Sequence, residues 1–132
     1  MSFDAQAIFA NLAEKERIKG HHSPEGRAIR TLSRALNGWS SGSLPPSDVA
    51  VLCDQAIQDW LRARLKRSPW SFQATPALLA QAQSEGWITP AEADRLQVVH
   101  ELRARADGQV EIAAPEVEAA LEFCIQLVEK HW

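Results

Sequence analysis

No stretch of the 132 residues approaches the roughly 18 consecutive apolar side chains that a membrane-crossing helix needs, so no membrane role is expected. The opening MSFDAQAIFA carries an acidic residue where a secretory leader would carry basic ones, which makes the cytoplasm the expected location. Cysteine is scarce. Cys53 and Cys124 lie far apart in sequence, have no partners at metal-ligand spacing and fall on apolar helix faces, so buried reduced thiols are expected in place of a disulfide or zinc site. His21 and His22 are adjacent and have no carboxylate or thiol at a recognised ligand interval, so they read as a loop pair and no metal is expected. The chain also lacks strand alternation, a glycine-rich phosphate loop and an internal repeat, and nothing in it calls for a cofactor.

What remains is the composition of one globular domain, 45% hydrophobic and 23% charged, able to bury about two-thirds of the surface its unfolded chain exposes. The net charge of −3 is unevenly spread. Residues 1–67 hold ten Lys/Arg against seven Asp/Glu, and residues 68–132 hold four against ten. Such an imbalance suits either solvated helix faces or a basic half that attracts phosphate and an acidic half that attracts a basic partner.

Apolar spacing predicts an all-α, up-and-down helical bundle of about five to six helices. Ala5, Ile8, Phe9 and Leu12 mark a first amphipathic helix that Gly20 ends; Ser23 and Pro24 start a second, carrying Ile29, Leu32 and Leu36, that runs to about Asn37. Residues 1–37 thus form an N-terminal helical pair. Arg27, Arg30 and Arg34 recur on one stripe of the second helix, where three guanidinium groups could grip the phosphates of a nucleic acid, although no aromatic residue interleaves them. GWSSGSLPPSD, residues 38–48, reads as a mobile connection. Ser47 then caps the strongest apolar helix, from Val49 through Cys53, Ile57, Trp60 and Leu61 to Leu65, the expected centre of the core. The cations that end it, Arg62, Arg64, Lys66 and Arg67, suit the carbonyl end of a helix dipole. SPWSFQATP places Trp70 and Phe72 on a loop, where they plug a bundle end, and Thr75 and Pro76 open a short helix that Gly86 terminates. Val110 and Ile112 lie in a loop, and a last helix follows Pro115, with Val117, Leu121, Cys124 and Val128 on its buried face.

The only cluster of polar residues suited to chemistry lies on WITPAEADRLQVVHELRARADG, residues 87–108. Thr89, Pro90 and Glu92 form an N-cap, a first-turn proline and a capping box, and Gly108 is the expected left-handed stop. Ala93, Leu96, Val99 and Ala106 face a core while Glu92, Asp94, Gln97 and Glu101 stay wet. His100, Arg103 and Asp107 share a neighbouring stripe, within about 60° of one another, and are the candidate site. The simplest arrangement there is an Arg103–Asp107 pair at i, i+4 with His100 beside it.

DVAVLCDQAIQDWLRARLKR, a short helix, EGWITPAEADRLQVVHELRARADG and PEVEAALEFCIQLVEKHW together resemble the HEPN superfamily of small helical-bundle proteins, over roughly residues 47–132. In that family a long apolar helix is followed by one that ends in an arginine-containing segment, commonly leucine-arginine-asparagine and then histidine-glycine, before a final helix. Leu102, Arg103 and Gly108 match that pattern as they stand. The resemblance implies a homodimer formed through the face with the motif. It also implies either a metal-independent ribonuclease, in which Arg and His of two copies converge on RNA, or a non-catalytic binding module. The chain departs from the catalytic form at Ala104, where a polar residue usually follows the arginine, and at Asp107, which precedes Gly108 where the histidine is expected. An aspartate there would repel the substrate phosphate at neutral pH. Arg95 and His100 also satisfy the arginine-to-histidine spacing, but they stand about 140° apart on an unbroken helix, with apolar LQVV between them.

Three readings follow. The first is a non-catalytic HEPN-like homodimer that contacts a protein, nucleotide or RNA partner through His100, Arg103 and Asp107. The second is a toxin-like ribonuclease using Arg103 with His100 or Asp107. The third is a helical adaptor anchored on another protein by exposed Trp39, Trp70 or Trp132.

Overall fold

The computed structural model describes residues 4–66 and 75–131. Six α-helices account for the regular structure of these residues: α1 (Ala5–Lys19), α2 (Pro24–Ser41), α3 (Pro46–Arg64), α4 (Thr75–Ser84), α5 (Pro90–Asp107) and α6 (Ala114–Lys130). The chain is an all-helical bundle, as the apolar spacing predicts. Trp70, Phe72, Arg67 and Trp132 lie outside the described residues.

The apolar helix α3 is the hub, packing against α2, α4, α5 and α6. Its inward face supplies Val49, Cys53, Ile57, Trp60 and Leu61, all at most 2% exposed. The N-terminal pair shares this core: Leu12 of α1 and Ile29, Leu32 and Leu36 of α2 belong to the same buried cluster as Leu96 of α5 and Leu121 of α6. Asn11 of α1 also donates to the Glu129 carboxylate of α6 at 3.0 Å.

Several boundaries differ from those expected. Helix α2 continues past Asn37 to Ser41, so the serine-rich connection shrinks to residues 42–45. Burial outweighs the turn-forming composition there, because Gly38 packs beneath Leu44 and Trp39 packs against the core. Gly42, at φ +70°, makes the stop. Helix α3 starts at Pro46 with Pro45, not Ser47, as its N-cap. The fixed φ of proline suits the first helical position, and no side chain caps this end.

At the end of α5, Gly108 keeps φ −83° and Gln109 takes the left-handed conformation at φ +59°. Val110 N–H reaches back to the Arg105 carbonyl (2.8 Å) and Gln109 N–H to that of Ala106 (3.1 Å), a Schellman closure one residue later than expected. Gly86, at φ +81°, closes α4 in the same way, with Trp87 N–H on the Ala82 carbonyl at 2.9 Å.

Candidate functional site

Helix α5 is aimed by its start and its core face. Thr89 Oγ1 accepts Glu92 N–H at 3.1 Å and the Glu92 carboxylate accepts Thr89 N–H at 2.8 Å, which is the expected capping box. Ala93, Leu96, Val99 and Leu102 are buried, and this orientation turns His100 and Arg103 toward α3.

There they meet Asp54, a carboxylate only 1% exposed on the hub helix. Its Oδ2 accepts from Arg103 Nη1 at 3.1 Å and from Gln58 Nε2 at 2.8 Å, and it faces His100 Nδ1 at 3.4 Å. Asp107 approaches the other edge of the guanidinium, with Arg103 Nε 3.7 Å from its carboxylate. The structure thus brings His100 and Arg103 onto a fourth residue that sequence reasoning missed, and Asp107 joins them through Arg103. His100 and Arg103 keep 30% and 27% of their side chains exposed, and Asp107 keeps 64%. One guanidinium thus faces two carboxylates.

The arginine stripe of α2 does not stay together as three free cations. All three side chains are exposed, but Arg30 is tied into the α1–α2 corner, where it bonds the Glu16 carboxylate (3.2 Å) and the His21 carbonyl (2.7 Å). Burial pushes the Glu16 carboxyl up, but the hydrogen bonds from His21 and Arg30 outweigh it and hold the group below its usual range. Arg27 acts on Asp59 of α3, whose carboxyl is raised by burial and lowered in part by Gln55, Arg62 and Arg27. Arg34 has no ion pair among the described residues.

Helices α2 and α5 both pack on α3 and share no close backbone approach with each other. Part of α3 is polar: Gln55 bonds Asp59 (3.1 Å), and Arg62 bonds Gln58 (3.1 Å) and approaches Asp59 (3.5 Å).

His21 pairs with Glu16 through Nδ1 at 2.6 Å, and the described residues contain no group of three or more His, Cys, Asp or Glu side chains placed to hold a metal. Cys53 and Cys124 are fully buried and unbridged, and α3 and α6 bring them together. The neighbouring thiol and burial push Cys124 well above the ordinary thiol range, which keeps it protonated. Trp39 is half-buried against the core and is no exposed anchor, because the extension of α2 carries it inward. No helix among the described residues is long and apolar enough to cross a membrane.

Two further features escaped the sequence. Glu92, expected to be wet, is 8% exposed and takes Lys130 Nζ (2.9 Å) and His131 Nε2 (3.1 Å) from the end of α6. On the flank of α5 turned away from Asp54, Val98, Val99 and Leu102 join Ala119, Ala120 and Phe123 of α6 in an open groove of about 560 Å³. Neither protein-family models, curated proteins nor solved structures show a match to this chain.

Proposed function

We propose that this chain is a non-catalytic, HEPN-like helical domain that works as a homodimer and contacts a protein, nucleotide or RNA partner through the His100, Arg103 and Asp107 face. The observation that carries the reading is the hold of Asp54 on Arg103 at 3.1 Å, with Asp107 on the other edge of the guanidinium. A catalytic arginine must offer its charge to a phosphate whose negative charge grows in the transition state. Here two carboxylates already compete for that charge, one of them buried, so phosphodiester cleavage is disfavoured while hydrogen-bonded recognition remains open. The part-exposed His100 and Arg103 then act as contact residues whose positions are set by the carboxylate beneath them.

One observation favours the ribonuclease reading. Asp54 faces Nδ1 of His100, which would make Nε2 the basic nitrogen, as a general base requires. The same assay separates the two. Purified protein incubated with single-stranded RNA without metal is expected to leave the RNA intact. Cleavage that disappears in Arg103→Ala, with the circular dichroism spectrum unchanged, would overturn the proposal. For the dimer, light scattering at high micromolar concentration is expected to give twice the chain mass, and a monomer there removes that part of the reading.

A further inference from the structure

The groove between α5 and α6 lies apart from the Asp54 cluster and is lined mostly by apolar side chains. Val98 stands at its edge with 54% of its surface exposed, although it sits mid-helix between the buried Leu96 and Val99. Apolar area exposed beside a groove of this size marks a surface that a partner covers.

The charges around Val98 say which partner. Arg105, farther along α5, is neutralised by Glu116 of α6 at 2.9 Å. Arg95 lies over the Phe123 ring at 3.9 Å and has no carboxylate partner among the described residues, and Glu101 has no cation partner there. These two unmatched charges have opposite sign and stand three residues to either side of Val98. At 1.5 Å rise per residue each is about 4.5 Å along the axis from it. When a second α5 is laid antiparallel across the first with Val98 on the twofold axis, Arg95 of each copy comes level with Glu101 of the other. The apolar centre is covered and both charges acquire partners, which is the self-complementarity an isologous interface requires.

We propose that the groove face of α5, centred on Val98 with Arg95 and Glu101 in reciprocal pairs, is the surface on which a second copy of this chain docks. The inference rests on the homodimer reading, but it moves the dimer surface from the motif face that the family resemblance implies to the groove face, and it adds a direction. It leaves the His100 and Arg103 flank free for the other partner.

The experiment measures the dimer dissociation constant by sedimentation velocity for the wild type, Val98→Asp, Arg95→Glu, Glu101→Arg and the Arg95→Glu/Glu101→Arg double variant. Circular dichroism and thermal melting check the fold of each. The wild type is expected to dimerise, Val98→Asp and each single charge reversal to weaken the dimer at least about tenfold, and the double swap to recover most of that loss. Recovery by the swap cannot come from damage to the monomer. A dimer indifferent to Val98→Asp and to both reversals overturns this surface while leaving the homodimer reading intact, and so does a double swap that only adds the two losses. A wild type that stays monomeric overturns the homodimer reading and this inference with it.

Discussion

At the scale of single residues, the most consequential group is Asp54, a carboxylate 1% exposed on the hub helix. Burying a charge is costly unless it is paired and hydrogen-bonded, and Arg103, Gln58 and His100 provide that compensation. Arg103→Ala removes the nearest cation and leaves the carboxylate short of a partner. The expected loss is about 2 kcal/mol, below the roughly 3–5 kcal/mol of a fully buried pair, because Arg103 itself is 27% exposed. Asp54→Asn keeps the shape and removes the charge, so Arg103→Ala made in that background should cost at least about 1 kcal/mol less. Urea denaturation of the four proteins of this cycle checks it, and strictly additive losses would mean that the two side chains do not interact energetically. The helical period puts His100, Arg103 and Asp107 on one stripe, so this half of the site is legible in the sequence. Asp54 is not, because its partner Arg103 lies 49 residues away and local spacing says nothing about which helix will cover an acidic side chain.

At the scale of elements, the corner between α1 and α2 shows tertiary geometry overriding propensity. Ser23 Oγ accepts Gly26 N–H at 2.9 Å and donates to the Gly20 carbonyl at 2.9 Å, which draws the end of α1 over the first turn of α2. A Cβ on Gly26 would then stand 2.0 Å from the Gly20 carbonyl oxygen, a backbone atom that cannot move without opening the corner. Helix propensity alone favours Gly26→Ala by about 1 kcal/mol. The clash reverses the sign, and a net loss of about 2 kcal/mol is expected in chemical denaturation. A variant as stable as the wild type or more so would show that the corner is not closely packed. The same competition explains which element boundaries were readable. Caps with strong local chemistry, Ser23–Pro24 and Thr89–Pro90–Glu92, stand where the sequence puts them. The end of α2 and the start of α3 shift because burial of Gly38 and Trp39, seen only in the folded chain, decides them. The groove at Val98 was hidden for a related reason: one apolar residue on a mostly polar flank is common, and only the position of α6 makes it part of a surface.

At the scale of the whole molecule, the bundle is closed at one end by polar contacts among the ends of α3, α5 and α6. Arg64 at the end of α3 donates to the His131 carbonyl at 2.6 Å and lies 5.3 Å from the Trp60 ring. His131 and Lys130, at the end of α6, both reach Glu92 in the first turn of α5. Burial raises the Glu92 carboxyl, but hydrogen bonds from Thr89 N–H, Lys130 and His131 and the nearby His131 charge outweigh it and hold the group at about 2. Because the folded value lies below the ordinary one near 4.5, the contribution of Glu92 is fully present above about pH 4.5 and is lost as pH falls toward 2. The shift alone would correspond to roughly 3 kcal/mol, and screening at Lys130, 61% exposed, brings the expectation to about 2 kcal/mol. Glu16 is also held below its usual range, so the quantity to follow is the difference between the wild type and Glu92→Gln. Denaturation between pH 6 and pH 2 should show the wild type ahead by about 2 kcal/mol at the top of the range and the two converging near its foot, since a protonated Glu92 and a glutamine are nearly equivalent. A gap that stays constant across the range would mean that the carboxylate charge does not hold this end of the bundle together.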